Sequence, residues 1–185
     1  MKSVLKRRSS IIHGLLFMLI CMVASPTFSQ DLQNYKLSAD DVISINVFDE
    51  PDLSVQSARV SSSGTVSLPL IGQVRIKGLD VVEAESEIRK KYLDGYLKKP
   101  DISIRIIEYR QFYVNGEVGR PGGYNYREGM TIQRAITLAG GFTERASRSS
   151  ISLVREGGMG KETTQVNLST PVKPGDVITV EESFF

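Results

Sequence analysis

Val42-Ile43-Ser44-Ile45-Asn46-Val47-Phe48 decides the fold: Ile43, Ile45 and Val47 fall on one face, Ser44 and Asn46 on the other. That period of two is the pattern of a half-buried β-strand. Asp49-Glu50-Pro51-Asp52 ends it, because proline offers no N–H to a ladder and restricts the residue before it. Working outward, Ser61-Ser62-Ser63-Gly64 is a turn-like cluster between Val60 and the run 66–70, which predicts a hairpin. Val74-Arg75-Ile76 reads as another short strand before the Lys77-Gly78 turn.

The spacing then predicts a helix over 80–97. Asp80 can cap it, with Glu83 three residues on as in a capping box, and Arg89, Lys90 and Lys91 come late, where the helix dipole favours cations. Val81, Ala84, Ile88, Tyr92 and Tyr96 make one apolar stripe, and Lys98-Lys99-Pro100 stops the helix. Ile102, Ile104 and Ile106 alternate with Ser103 and Arg105, a second strand expected in the same sheet. The pattern breaks near Glu108-Tyr109-Arg110, which marks a module boundary.

Beyond the break, 112–118 reads as a strand, and Gly119-Arg120-Pro121-Gly122-Gly123 as a turn whose glycines permit positive φ. Thr131 caps a short helix carrying Ile132, Ala135, Ile136 and Ala139, closed by Gly140-Gly141. Segments 151–154, 164–168 and 177–180 complete a small sheet, with Pro174-Gly175-Asp176 as the last turn. A helix against a mixed sheet in each of two small modules is an α+β arrangement.

Lys2, Lys6, Arg7 and Arg8 precede an apolar run over 11–23, too short for a comfortable span of roughly 20 residues. Thr27-Phe28-Ser29 before Gln30 fits a small-x-small cleavage site, so 1–29 reads as a secretory signal peptide, an uncleaved anchor being the alternative. Ile20 stands where a lipobox ahead of Cys21 would need a small residue, which argues against lipidation. Cleavage would remove the single Cys, the single His and four of the 23 basic residues, leaving 19 against 21 acidic ones. The basic excess belongs to the leader, so composition gives no reason to expect a nucleic-acid partner.

Two groups of residues resemble a known family. Tyr35-Lys36-Leu37, Asp40 to Phe48 and Gly64-Thr65-Val66-Ser67-Leu68-Pro69-Leu70-Ile71-Gly72 resemble the opening of the bacterial polysaccharide export domain. Val114-Asn115-Gly116-Glu117-Val118-Gly119-Arg120-Pro121-Gly122-Gly123-Tyr124, with Gly129-Met130-Thr131 and Ala139-Gly140-Gly141-Phe142, resemble the SLBB module, a β-grasp-like domain. Their order matches the outer-membrane polysaccharide export family and implies an export domain over 32–108 and an SLBB domain over 109–182. Long members of that family end in an amphipathic membrane-crossing helix; here the sequence ends at Phe184-Phe185 after the last strand, so the expectation is a short form.

The resemblance implies a periplasmic part of a capsular or exopolysaccharide export channel, associated with the outer membrane. It also implies a homo-oligomeric ring, polysaccharide as cargo, an inner-membrane polysaccharide co-polymerase as partner, and a separate outer-membrane β-barrel. The alternative is a monomeric periplasmic module that binds a soluble sugar. The rigid turns Asp49-Glu50-Pro51-Asp52 and Arg120-Pro121-Gly122 are candidate contacts between subunits. Tyr109, Tyr113, Tyr124 and Tyr126 ordinarily pack the second module's sheet; as the alternative they offer faces for sugar rings.

No catalytic residue, metal site or cofactor is expected. Without His or Cys in a cleaved chain, a Ser-His-Asp triad, a thiol nucleophile and a His-based zinc site are excluded. The carboxylate groups Asp40-Asp41, Asp49-Glu50-Asp52 and Glu181-Glu182 read as loop residues or caps rather than a glycosidase pair, with Asp41 expected to accept backbone N–H bonds. Gly116-Glu117-Val118-Gly119 and Gly157-Gly158-Met159-Gly160 lack the strand-glycines-helix setting of a phosphate cradle and read as a turn and a hairpin loop.

Overall fold

Alternation along the opening stretch becomes β1 (Val42–Val47), whose Ile43, Ile45 and Val47 are no more than 1% exposed. β1 lies between β2 (Val55–Arg59) and β5 (Ile102–Glu108), antiparallel to both. Ile45 faces Ile104 and Val47 faces Ile102, so both strands bury their apolar faces together. The computed structural model describes residues 35–157 and 160–183. The expected signal peptide, Gly158 and Met159 of the glycine-rich loop, and Phe184-Phe185 lie outside the described residues.

The hairpin expected across Ser61–Gly64 is displaced. β3 (Thr65–Leu68) pairs with β4 (Gly72–Arg75), not with β2, in a separate two-stranded sheet. Pro69 has no donor to continue the ladder, and Leu70 and Gly72 take φ of 65° and 66°, which folds the chain back here. The Ser61–Gly64 cluster instead carries the chain between sheets, with Gly64 accepting from the N–H groups of Ile76 and Lys77.

Helix α1 (Val81–Leu93) begins at the capping box: Asp80 accepts from Glu83 N–H and Glu83 accepts from Asp80 N–H, both at 2.9 Å. Ala84, Ile88 and Tyr92 of the stripe are fully buried. The helix stops four residues before the expected 97, because Gly95 takes φ +91° and the N–H groups of Tyr96 and Leu97 both fold back to Tyr92 O. Tyr96 therefore leaves the stripe and is 51% exposed. Glu85 on α1 accepts from Ile104 N–H at 2.9 Å, covering part of β5 at the end of its sheet.

The second half builds one sheet in the order β7-β6-β10-β8-β9, from β6 (Phe112–Gly116), β7 (Gly122–Tyr124), β8 (Ala146–Gly157), β9 (Gly160–Val166) and β10 (Val177–Glu182). β10 runs parallel to β6 and antiparallel to β8. The strand expected to reach 118 ends at Gly116, and Val118 makes an isolated bridge to Phe142. Helix α2 (Ile132–Leu138) has Thr131 as cap, buries Ile132, Ala135, Ile136 and the following Ala139, and ends at Gly140 and Gly141 with φ of 85° and 82°. At Gly119 the need is space rather than positive φ: a Cβ would sit 2.9 Å from Gly140 O. Two apolar cores result, one spanning Leu37 to Ile104 and the other Phe112 to Val180.

Candidate functional site

Between the two cores the chain crosses Glu108-Tyr109-Arg110, and the crossing is built around one carboxylate. Asp40 takes φ +71°, bringing Asp41 to the start of β1 with its side chain fully buried. Asp41 Oδ2 accepts from Ser38 N–H at 2.8 Å, and Oδ1 accepts from Arg110 N–H at 2.8 Å. The Tyr35 hydroxyl reaches both oxygens, at 2.7 and 2.8 Å, and itself accepts from Arg110 Nη1 at 2.8 Å. The Arg110 guanidinium lies 3.6 Å from Asp41 Oδ2, and its carbon stands 5.6 Å from the Tyr35 ring centroid.

A tyrosine ladder extends this knot. Tyr35 meets Tyr109 edge to face at 5.0 Å, and Tyr109 meets Tyr126 likewise at 5.3 Å. From the far side Gly175 N–H donates to Gln111 O, and the Arg110 side chain passes so close that a Cβ on Gly175 would lie 2.5 Å from Nε. Hydrogen bonds, an ion pair and ring contacts thus tie the two modules together at this crossing.

Burial raises the Tyr35 phenol above its ordinary value of 10.0; the Asp41 charge acts the same way, while Arg110 opposes it. Burial likewise raises Tyr109. A phenol that resists ionisation in the folded state favours folding fully below its unfolded pKa, and that contribution declines as pH climbs past it. Stability should therefore fall above pH 10.0, the ordinary value for tyrosine. Tyr35→Phe should be less stable at neutral pH but lose less between neutral and alkaline buffer, measured as urea midpoints in both.

Above the knot opens a cleft of about 710 Å³. Ser38, Ala39, Asp40, Arg59 and Lys77 line it from the first module, and Gln111, Tyr113, Asn125, Gly175 and Val177 from the second. Of the four tyrosines singled out from the sequence, Tyr109 and Tyr113 reach this cleft, and Tyr113 is 46% exposed. Tyr124 and Tyr126 pack against the second core, Tyr124 stacked on Phe112 at 5.9 Å with its hydroxyl donating to Arg120 O.

The two proposed contact loops do not line the cleft. Asp49, Glu50, Pro51 and Asp52 are exposed around a short 3₁₀ turn anchored by Leu53, while Arg120 docks on the end of α2 through Leu138 O and Ala139 O. Pro121 is exposed and Gly122 partly so.

In the last carboxylate pair, Glu182 accepts from Arg145 and Glu181 from Ser152 Oγ. Among the described residues no group of His, Cys, Asp and Glu could hold a metal ion. Sequence reasoning missed Arg110 and Tyr35 as partners of Asp41, and the buried Asp176, which accepts from Arg155 and from Lys173 N–H. The Pro174-Gly175-Asp176 turn was the available signal for the last of these.

The sequence matches the family described as polysaccharide biosynthesis/export protein over residues 29–107 and the SLBB domain over 111–166. It is 26% identical over 181 residues to the EPS I polysaccharide export outer membrane protein EpsA of Ralstonia nicotianae, covering 80% of this chain and 47% of that protein. It is 37% identical over 84 residues to the exopolysaccharide production protein ExoF of Rhizobium meliloti, covering 44% and 20%. It is 28% identical over 142 residues to the polysialic acid transport protein KpsD of Escherichia coli, covering 75% and 25%. The chain thus carries a polysaccharide export domain followed by an SLBB domain and is homologous to polysaccharide export proteins. It spans about half or less of the length of these curated relatives.

Proposed function

We propose that this chain is a periplasmic, non-catalytic component of a capsular or exopolysaccharide export channel. Copies form a ring that conducts or adapts the polymer's passage across the envelope. The observation that carries this reading is the pair of family matches, in order, over 29–107 and 111–166. The junction supports it physically. A closed ring needs each copy to present its contact surfaces at a fixed angle, and the Asp41–Tyr35–Arg110 knot removes the freedom a linker would leave.

The exposed loop at Asp49–Asp52 and the Arg120-Pro121-Gly122 turn are the proposed faces of a heterologous contact between neighbours. Polysaccharide is the cargo, and an inner-membrane co-polymerase and a separate outer-membrane barrel are the proposed partners. No helix among the described residues is long and apolar enough to cross a membrane.

The test is made in the native cell. Deleting the gene should abolish surface polysaccharide, leaving polymer inside the envelope, and cross-linking should give a ladder of self-linked species. Unchanged export after deletion would refute the reading; a monomer alone after cross-linking would refute the ring.

A further inference from the structure

We infer that the cleft at the module junction is a subsite for an acidic saccharide, a sugar unit bearing a carboxylate; this rests on the export reading above. Its volume of about 710 Å³ lies within the range of roughly 300–1,000 Å³ usual for small-ligand sites. Two cations stand at its rim on the first module, and neither pairs with a carboxylate among the described residues. Arg59 is held by its head, and Lys77 by its main chain and the base of its stem. Arg59 Nη1 donates to Asp40 O at 3.2 Å, which fixes the head and leaves other guanidinium donors for a ligand. The Lys77 stem packs on Gly64, where a Cβ would lie 2.3 Å from Lys77 Cβ, and Lys77 N–H donates to Gly64 O.

The second module supplies what a sugar ring needs beside a charge. Tyr113 presents a half-exposed ring, and the Gln111 Nε2–H donates to Asn125 Oδ1 at 3.0 Å. That bond uses one of the two N–H donors on Gln111 Nε2 and leaves both Asn125 Nδ2 donors outside it. Amide donors, carbonyl acceptors and an aromatic face together suit a polyhydroxylated ring. The guanidinium and ammonium add a preference for a carboxylate, since charge-assisted hydrogen bonds are roughly twice as strong as neutral ones. Asp40 and Glu108 also line the cleft, and its third cation, Arg110, is paired with Asp41, so its charge is close to balanced rather than strongly positive. That balance favours weak, reversible contact, as a moving polymer requires.

The experiment titrates the full chain with three probes of equal length: cellotetraose, its C6-oxidised glucuronate counterpart, and tetraglutamate, reading amide chemical shifts. The oxidised sugar should shift Arg59, Lys77, Gln111 and Asn125 signals and bind at least about tenfold more tightly than cellotetraose. The double substitution Arg59→Gln, Lys77→Gln should erase that preference, and Tyr113→Ala should weaken both sugars alike. Equal binding of the two sugars, tetraglutamate binding as well as the oxidised sugar, or shifts confined to residues outside the cleft would each overturn the assignment. Failure here with export still lost on gene deletion would leave the export reading intact. Binding as expected with export unaffected by deletion would refute the export reading alone.

Discussion

Asp41→Ala should destabilise the protein by about 3–5 kcal/mol, the usual consequence of removing one member of a buried, hydrogen-bonded charged group. The carboxylate is wholly buried and is the common acceptor for Ser38 N–H, Arg110 N–H and the Tyr35 hydroxyl. Its loss takes the acceptor from two backbone donors and a phenol that are buried or half-buried around it. Asp41→Asn keeps the shape but turns an NH₂ toward one of the two N–H groups, so it should cost nearly as much, about 2–4 kcal/mol.

Arg110→Ala should cost clearly less. Its backbone N–H survives the substitution, and what is lost is the 3.6 Å ion pair, the bond to Tyr35 and the guanidinium's contacts with the Tyr35 ring and Gly175. Urea unfolding of the three variants should give the order Ala at 41, Asn at 41, Ala at 110. If Arg110→Ala proved as damaging as Asp41→Ala, the ion pair rather than the backbone donors would be what holds the junction. The Arg110 amide should also exchange with solvent faster in both position 41 variants.

Much of this architecture was legible because it is local. β1 announces itself by period, and α1 and α2 by their caps and stripes: Asp80 with Glu83, and Thr131 with Ile132, Ala135 and Ile136. What was not legible depends on partners distant in sequence. Nothing within 60–70 tells β3 that its mate is β4 rather than β2, because the same apolar residues satisfy either pairing; Leu70 adopting φ +65° settles it. Gly95 was read through as helix because the basic residues around it suit a helix end whether it comes at 93 or 97.

The site shows the same division. Asp41 was recognisable as an acceptor of backbone N–H bonds, a role its position before a strand suggests. That one of those donors lies 69 residues away, at Arg110, is a property of the docked modules. Arg59 and Lys77 carried no motif at all. They gain meaning only because the fold brings them to the same opening as Tyr113.

Gly116→Ala should be among the most damaging small substitutions in the chain, costing about 3 kcal/mol or more, for two separable reasons. Gly116 takes φ +78°, and a left-handed backbone costs an L-residue roughly 1–2 kcal/mol. The second reason is larger. The added Cβ would stand 2.1 Å from Val180 O and 3.0 Å from Val180 C, atoms of a backbone that cannot rotate away as a side chain would. Gly116 faces Val180 in the parallel β6–β10 pairing, and Val180 O accepts from Glu117 N–H at 3.0 Å. Relief therefore means moving the carbonyl and breaking that bond, in a sheet whose Phe112, Val114, Ile178 and Val180 are buried together. Gly72→Ala isolates the first reason: φ there is +66°, and nothing lies within 4 Å of the new Cβ. Gly72→Ala should cost only about 1–2 kcal/mol, the conformational part alone. Urea midpoints of the two variants, compared with the parent, give the difference directly. Equal losses at 116 and 72 would show that β10 can shift to accept a methyl group, and that the close approach of Gly116 to Val180 is not what fixes the centre of this sheet.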